Sequence, residues 1–409
     1  MKIRHRLRLT IALAGVLIFV LPASTAGADD VIAFPDPNLE AAIRSTIGIP
    51  YGDIYVSDLQ DISRFNAVNL GITDLSGLEY CTGLTTLELA FNEISDITPI
   101  ASLTNLIRLQ LQDNRISDAA PLSSLTGLDN LSLAENNISD ISPLSGLKGL
   151  TSLYLSENKI EDLTPLSNLS SLTKLSLQNN EINDVTALSS LTNLKQLWLW
   201  KNQLKDLSPL SQITGLTDLR LNYCGISDIA PLAALTGLTE LHLGGNSISD
   251  ITRLSGLTRL STLYLWNNLI DDITPLSGLV DLSILSLRTN FITDISPLAD
   301  NDVLGDGDFL DLTFNPLSTA SLEVYVPYLL EKGVDVELGS MEVPTPTPTA
   351  GASPTPITTP PDFGPTVSPA ETPPTGETGS APFNIWVVIG PVIGLVVIVG
   401  GAVYFLRRR

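Results

Sequence analysis

Few side chains in this sequence could carry acid–base, nucleophilic or metal chemistry. The chain has two histidines, His5 and His242, and two cysteines, Cys81 and Cys224. No C-x-x-C pair, zinc-ligand spacing or Ser-His-Asp arrangement accompanies them. We therefore expect no catalytic site and no cofactor, and we interpret both cysteines as buried thiols that do not bridge each other.

Aspartates recur once every 22 residues and are the other candidates for chemistry. Calcium prefers several carboxylates gathered in one loop, whereas this column supplies one per repeat, so we predict that each Asp caps a short helical turn. A cluster at Asp302, Asp306 and Asp308 is a second calcium candidate, but it lacks the spacing of a known calcium loop. We predict no metal site. The column comprises Asp74, Asp96, Asp118, Asp140, Asp162, Asp184, Asp206, Asp228, Asp250, Asp272 and Asp294.

Aromatic and basic side chains at the same spacing form the strongest candidate site. Trp, Tyr and Arg are the residue types that most often dominate the binding energy of protein interfaces. The alternative is that these rings stack along a sheet and only stabilise it. We expect Trp200 and Trp266 to stand about 14 Å apart, with Asn222 and Gly244 as a low floor between them. The candidate ligand-binding residues are Trp198, Trp200, Arg220, Tyr223, His242, Tyr264, Trp266 and Arg288.

A repeat of 22 residues must position these side chains. From Leu84 to Leu298 the chain follows the pattern L-x-x-L-x-L-x-x-N-x-I-x-D-I-x-P-L-x-x-L-x-x without insertion or deletion. A fixed period of this length indicates a solenoid in which each repeat is one coil. The Asn position of the pattern, which we call the ladder position, is occupied by Asn92, Asn114, Asn136, Asn158, Asn180, Asn202, Cys224, Asn246, Asn268 and Asn290.

The residue types predict the path of each coil. In L-x-L both leucines point inward and the middle residue points outward, which is typical of a short strand. A buried Asn can bond the backbone of its own and the next coil, which a leucine cannot do. The remaining half of the coil is too short for an α-helix with connections, so we expect 3₁₀-like turns.

The repeat closely resembles that of the internalin-type bacterial leucine-rich-repeat proteins, on the motif I-S-D-I-x-P-L-x-x-L-T-x-L. The resemblance covers roughly residues 31 to 340 and includes Phe34-Pro35-Asp36 and Gly77-Leu78-Glu79-Tyr80 in the N-terminal cap. It implies an α/β leucine-rich-repeat solenoid with a concave parallel β-sheet and short 3₁₀-like turns on the convex side. The family uses the concave side to bind proteins.

The flanking segments predict a secreted, anchored protein. We interpret residues 1–28 as a signal peptide, with an uncleaved N-terminal anchor as the alternative. Residues 29–83 are predicted as a helical cap, 84–315 as the repeats and 316–343 as a C-terminal cap. Residues 344–383 are rich in Pro and Thr and are predicted as a disordered stalk.

The C-terminal end predicts attachment to a membrane. Residues 384–406 carry no charge and are long enough for one transmembrane helix, and residues 407–409 are arginines that indicate a cytoplasmic tail. Thr372-Pro373-Pro374-Thr375-Gly376 resembles a sortase sorting signal of the L-P-x-T-G kind with Thr in place of Leu. Wall attachment by sortase is therefore an alternative to a retained span.

The net charge of the chain argues against some classes of binding partner. Seven of the 22 basic residues lie in the signal and the tail, so the segment between them carries a net charge of −29. Nucleic acid is therefore a poor candidate partner. We interpret the protein as a single-pass cell-surface binding module, an adhesin or receptor ectodomain, for an extracellular protein or glycan. The alternative is a passive, self-associating structural protein of the cell envelope.

Overall fold

The computed structural model describes residues 30–299, 304–339, 395–399 and 402–406. The described residues fall into two units, one before residue 340 and one formed by the two C-terminal segments. The signal peptide, the stalk, Asp302 and the cytoplasmic tail lie outside the described residues.

The first unit begins with a small cap. Strand β1 (Val31–Ile32) pairs antiparallel with β2 (Ile54–Tyr55), helix α1 (Pro37–Ile47) lies between them in the chain, and α2 (Val56–Leu59) follows. The Asp36 carboxylate accepts hydrogen bonds from the backbone N–H groups of residues 38 and 39 and so caps α1, which ends at a left-handed glycine, residue 48.

Thirteen short strands form one parallel sheet in sequence order. Successive strands pair in register at intervals of one repeat, so equivalent residues of neighbouring coils lie side by side. The strands are β3 (Arg64–Asn66), β4 (Thr86–Glu88), β5 (Arg108–Gln110), β6 (Asn130–Ser132), β7 (Ser152–Tyr154), β8 (Lys174–Ser176), β9 (Gln196–Trp198), β10 (Asp218–Arg220), β11 (Glu240–His242), β12 (Thr262–Tyr264), β13 (Ile284–Ser286), β14 (Phe309–Asp311) and β15 (Asp335–Glu337).

Short 3₁₀ turns form the other half of each coil, as the sequence predicts. Most contain Pro in their first positions, where its missing N–H costs no hydrogen bond. The turns are Leu78–Tyr80, Thr98–Ile100, Ala120–Ser124, Ser142–Gly146, Thr164–Leu166, Thr186–Ser190, Ser208–Gln212, Ala230–Ala234, Thr252–Gly256 and Thr274–Leu276.

The aspartate column precedes these turns and caps them. In each coil one carboxylate oxygen accepts a hydrogen bond from the backbone N–H two residues later, as from Asp96 to residue 98 at 2.8 Å. The aspartate itself lies one residue before the N-cap position of the turn, which is Ile97 in this coil. Hydrogen bonds from the side chain and backbone of Thr98 lower the pKa of Asp96. Each of these carboxylates is therefore engaged in its own turn, from Asp74 to Asp294.

The core is a continuous stack of leucine and isoleucine. The coil that starts at Leu84 buries seven aliphatic side chains, all at most 1 % exposed, and the following coils repeat the arrangement. Because each face of a coil is covered by the next, the two ends need caps.

The ladder asparagines join each coil to the one before it. Asn114 Nδ2 donates to the carbonyls of residues 89 and 111, and its Oδ1 accepts from the N–H of residue 94 at 3.0 Å. The predicted bonds to the following coil are wrong in direction, because the side chain reaches back toward the N-terminus. The predicted role of the asparagines in joining neighbouring coils is confirmed.

Asn is absent from the ladder at Cys224 and at Leu70, which lies one repeat before Asn92. The same backbone arrangement replaces its hydrogen bonds at both positions. Leu70 and Cys224 are each followed by a glycine with φ of +71°, a left-handed conformation that glycine adopts freely. The next ladder residue, Asn92 or Asn246, then accepts two backbone N–H groups instead of one. Cys224 also donates its thiol to the carbonyl of residue 199.

The C-terminal cap contains an interrupted helix. After α3 (Ser296–Ala299) and β14, a π-helical turn (Ser321–Tyr325) leads into α4 (Val326–Glu331), and β15 closes the sheet. Pro327 lacks an N–H and would crowd the carbonyl four residues earlier, which accounts for the wider turn before it. The segment predicted as a C-terminal cap thus contains a helix with a π turn inside it, and Gly333, with φ of +87°, follows the end of the helix.

The second unit is a two-stranded antiparallel sheet of β16 (Leu395–Val399) and β17 (Ala402–Leu406). The predicted helix over residues 384–406 is therefore not seen where the structure describes this segment. Val, Ile, Tyr and Phe dominate both strands and favour extended backbone, and two glycines separate the strands. Within the described ranges, no helix has the length and apolar character needed to span a membrane.

Candidate binding face

The solvent-facing side of the 13-stranded sheet, called here the concave face, carries three rows of outward side chains. Most of the predicted candidate residues lie in two of them, the row through Trp198 and the row through Trp200. The third precedes the buried leucine of each strand and was missed. It includes Lys174, Asp218 and Glu240, and the period-two alternation of a strand could have found it.

Trp198 is held by this missed row. Its Nε1–H donates to Asp218 Oδ2 at 2.9 Å, and Lys174 Nζ lies 4.5 Å from the ring centroid. Arg220 lies 4.9 Å from the same ring and forms ion pairs with Asp218 and Glu240 at 3.0 and 2.9 Å. Trp198 and Arg220 are therefore fixed parts of the face, with limited freedom to adapt to a partner.

His242 lies beside Tyr264 and is mostly buried. Their ring centroids are 4.6 Å apart, and His242 Nε2 lies 3.8 Å from a Glu240 oxygen. Burial, together with the nearby Arg220 charge, lowers the pKa of His242 to about 4, against the opposing effect of the Asp218 carboxylate. His242 is therefore neutral near pH 7 and serves as a packed aromatic ring.

Trp266 and Tyr223 form the most exposed aromatic pair of the candidate residues. Their ring centroids are 5.2 Å apart in an edge-to-face arrangement. A Cβ added at Gly244 would overlap the Trp266 indole, and one added at Gly245 would overlap the Tyr223 ring. The two glycines thus form a seat for the pair. The expectation of an open floor at Gly244 is wrong, because Trp266 covers it.

Trp200 and Arg288 lie apart from these pairs. Trp200 is half-buried and has Lys201 Nζ 5.2 Å from its ring. Arg288 is exposed and lies 5.0 Å from the Phe314 ring, in the last coil of the repeat region. The eight candidate residues therefore share one face, but the structure divides them into three contacting pairs and two separate residues, Trp200 and Arg288.

Residues just before the ladder position have left-handed backbone in nearly every coil. Asp, Asn and Gly suit this conformation, whereas Phe91, Tyr223 and Phe314 adopt it with φ between +55° and +59°. These three aromatics are also 49 %, 50 % and 65 % exposed. Backbone strain combined with an exposed apolar ring often marks functional positions. Sequence reasoning missed Phe91 and Phe314, which stand out because polar residues occupy most equivalent positions.

The described residues offer little chemistry beyond binding. Among them, no group of three or more His, Cys, Asp or Glu side chains could hold a metal ion. Both cysteines are buried and free, and burial raises the pKa of Cys81 to about 12 and of Cys224 to about 11. Neither thiol is a nucleophile near pH 7.

The repeats match family models described as leucine-rich repeats, over residues 80–97, 126–168, 170–212, 214–256 and 258–300. No curated protein matches the chain.

Solved structures from bacteria are similar along most of the solenoid. The crystal structure of internalin InlF from Listeria monocytogenes is 33 % identical, with a TM-score of 0.72, and the match covers 76 % of this chain and 92 % of that one. Internalin C2 from the same organism is 35 % identical, with a TM-score of 0.51, and coverage of 52 % and 99 %. A leucine-rich-repeat protein of Leptospira interrogans is 25 % identical, with a TM-score of 0.55, and coverage of 64 % and 74 %.

Proposed function

The chain belongs to the internalin-like leucine-rich-repeat proteins of bacteria, and on this premise we propose that it is a cell-surface adhesin or receptor ectodomain whose concave face binds an extracellular protein. Leucine-rich repeats in internalins and receptors commonly mediate protein binding, and folds of this type are typically non-enzymatic. The single observation that carries the proposal is the pair of the exposed Tyr223 and the half-buried Trp266, seated on two glycines.

The pair supports binding because both of its rings depend on residues that are unusual at their positions in the repeat. Tyr223 keeps a left-handed backbone that an Asn or Gly would adopt with less strain, and it exposes half of its surface. Gly244 lacks a side chain where every other coil has a larger residue, from Ala to Trp, and this makes room for the indole. Large rigid rings bury much area at a small loss of side-chain entropy when a partner covers them.

The remaining candidate residues divide into contact and positioning roles. Trp200, Tyr223 and Trp266 are the proposed contact residues, and Arg288 borders them. Trp198, Arg220, His242 and Tyr264 hold the intervening strip of the face through the Asp218 and Glu240 network. Because Arg220 is already paired with two carboxylates, its contribution to a partner is geometric more than electrostatic.

Surface attachment is part of the proposal. An N-terminal signal, a Pro/Thr-rich stalk and an uncharged C-terminal segment followed by three arginines are typical of an exported, anchored protein. Fractionation of cells that express the full chain tests this. Retention in the membrane fraction supports a span, and release by wall digestion with a new terminus after Thr375 supports sortase transfer. Accumulation in the cytoplasm would contradict both.

Site-directed photo-crosslinking tests the binding role. A photo-reactive amino acid is placed at position 200 or 266 of the full chain on cells, and at position 280 as the control. Val280 is 63 % exposed and lies in the turn before β13, outside the concave face. We expect one protein to crosslink at 200 and 266 but not at 280.

The crosslinked species also separates the alternatives. If the species is a second copy of this chain, the self-associating envelope role is correct. If no species distinguishes positions 200 and 266 from 280, the concave face is not the binding surface.

A further inference from the structure

A second region of the concave face differs in character from the aromatic pair. It is a shallow groove of about 320 Å³ that runs from β5 to β9, here called the polar groove. Five neighbouring strands at about 4.8 Å give it a length of roughly 19 Å. Side-chain amides and hydroxyls line most of it, and its principal polar side chains are Gln110, Gln112, Asn130, Ser156 and Gln178.

Internal hydrogen bonds fix the amides and leave part of each one unused. Gln110 Nε2 donates to Asn130 Oδ1 at 2.7 Å, and no described group pairs with Gln110 Oε1 or Asn130 Nδ2. Ser176 Oγ donates to Gln178 Oε1 at 2.6 Å, which leaves Gln178 Nε2 without a described partner. The groove therefore presents fixed donors and acceptors side by side.

Gln112 provides an independent observation, an unpaired buried oxygen beside the groove. Its Oε1 is buried and is the one such side-chain atom in the described ranges that has no hydrogen-bond partner. Buried polar atoms are nearly always paired, so an exception calls for a specific explanation. A ligand hydroxyl at the groove floor would supply the donor that this oxygen lacks once the side chain turns toward it.

Tyr154 provides a flat apolar surface beside these polar groups. Lys174 Nζ lies 5.3 Å from the Tyr154 ring centroid, on the side of the next strand. On the opposite side of Tyr154 in the sheet lies Ser132, its register partner in β6. An aromatic ring flanked by amides and hydroxyls matches a sugar, whose C–H face stacks on the ring while its hydroxyls bond to the amides.

Charge at the groove indicates which sugars fit. Glu135 lines the edge next to the ladder, and burial raises its pKa, with the carboxylates of Glu157 and Asp113 raising it further. Arg108 also lines the groove, at its β5 end, and lies 3.7 Å from a Glu88 carboxylate oxygen. The mutually repelling carboxylates on the ladder side disfavour a polyanionic glycan. The groove also lacks the deep apolar pocket that anchors the aromatic side chains of a protein partner.

We infer that the polar groove between β5 and β9 binds a short uncharged oligosaccharide, with Tyr154 as the stacking surface and Gln110, Gln112 and Gln178 as hydrogen-bonding groups. The groove reaches Trp198 at its β9 end but does not include Tyr223 or Trp266, the pair around which protein binding is proposed. The protein would then hold two ligands on one face.

An array of defined oligosaccharides tests the inference with the purified full chain. The probes are neutral, sialylated and sulfated oligosaccharides of matched length. We expect the neutral ones to bind, and we expect Gln112→Leu and Tyr154→Ala each to weaken that binding at least tenfold. Gln178→Ala, at a half-exposed position, gives a third variant that need not disturb the core.

Matched controls separate this site from the proposed protein site. Trp266→Ala should leave saccharide binding unchanged while it reduces protein crosslinking, and Gln112→Leu should do the reverse. Thermal unfolding by circular dichroism identifies any variant that fails to fold. The inference is overturned if no neutral oligosaccharide binds, if only sulfated ones do, or if folded variants of all three groove residues bind as the wild type does.

Discussion

The indole of Trp266 occupies the space into which a Cβ on Gly244 would project, one strand away on the concave face. This contact fixes the ring of Trp266 and, through the edge-to-face contact, the ring of Tyr223. The backbone at Gly244 does not have a positive φ and would itself accept alanine. The neighbouring Trp266 side chain is therefore what requires glycine at this position.

Gly244→Ala should displace Trp266 and cost roughly 1 to 3 kcal/mol of folding free energy through overpacking. Chemical denaturation measures the cost, and near-ultraviolet circular dichroism reports the moved indole. Gly256→Ala is the control, because nothing lies within 4 Å of its added Cβ and its φ is not positive. Equal stability of the two variants would show that Trp266 does not depend on this seat.

Asn136→Ala should cost about 1 to 3 kcal/mol, since the partner groups of its amide stay buried and unpaired. Asn136 donates to the carbonyls of residues 111 and 133 and accepts from the N–H of residue 116. Its neighbour Asn137 is exposed, so Asn137→Ala is a matched control and should change stability by less than about 0.5 kcal/mol. Overlapping urea unfolding curves for the two variants would contradict the ladder role.

Much of the fold can be predicted from the local periodicity of the sequence. The arrangement of the candidate site can be predicted only in part. Leu87, Leu89 and Asn92 predict strand, core and ladder because each residue type suits a single place in a 22-residue coil. The positions of Asp218 against Trp198 and of Trp266 over Gly244 depend on the direction of a side chain across two strands, which one repeat does not encode.

The C-terminal segment shows a different limit. Hydrophobicity and length are the same for a membrane helix and for two apolar strands, so the residues of β16 and β17 are ambiguous by composition alone. Their β-branched content and the two glycines between them were the available signal.

Acidification from pH 6.5 to about 4 should destabilise the solenoid through His242. The pKa of His242 is lowered by burial from 6.5 to about 4, so in this window the unfolded chain binds a proton that the folded chain does not. The free energy of unfolding therefore falls as pH falls. The free energy of unfolding of His242→Gln should fall less steeply across this pH range, because glutamine does not titrate. The difference between the two slopes isolates the contribution of His242, since all other groups are the same in both proteins. Parallel slopes would mean that His242 titrates normally in the folded state.

Tyr223→Asn should separate binding from folding. Asn relieves the left-handed backbone strain of about 1 to 2 kcal/mol, while the lost contact with Trp266 removes about 0.5 to 1.5 kcal/mol. We therefore expect an unfolding midpoint close to that of the wild type, together with weaker capture of the protein that crosslinks at position 200. A large loss of stability with unchanged capture would assign Tyr223 to the scaffold.

The most direct measurement is the affinity of Trp200→Ala for the protein that crosslinks at position 200, with Val280→Ala as the control. Val280 is 63 % exposed and lies in the turn before β13, outside the concave face. We predict that Trp200→Ala weakens binding about tenfold or more, which corresponds to roughly 1.4 kcal/mol, while its unfolding midpoint and the affinity of Val280→Ala stay at wild-type values. Unchanged affinity of Trp200→Ala together with a lowered unfolding midpoint would contradict a binding role for the concave face.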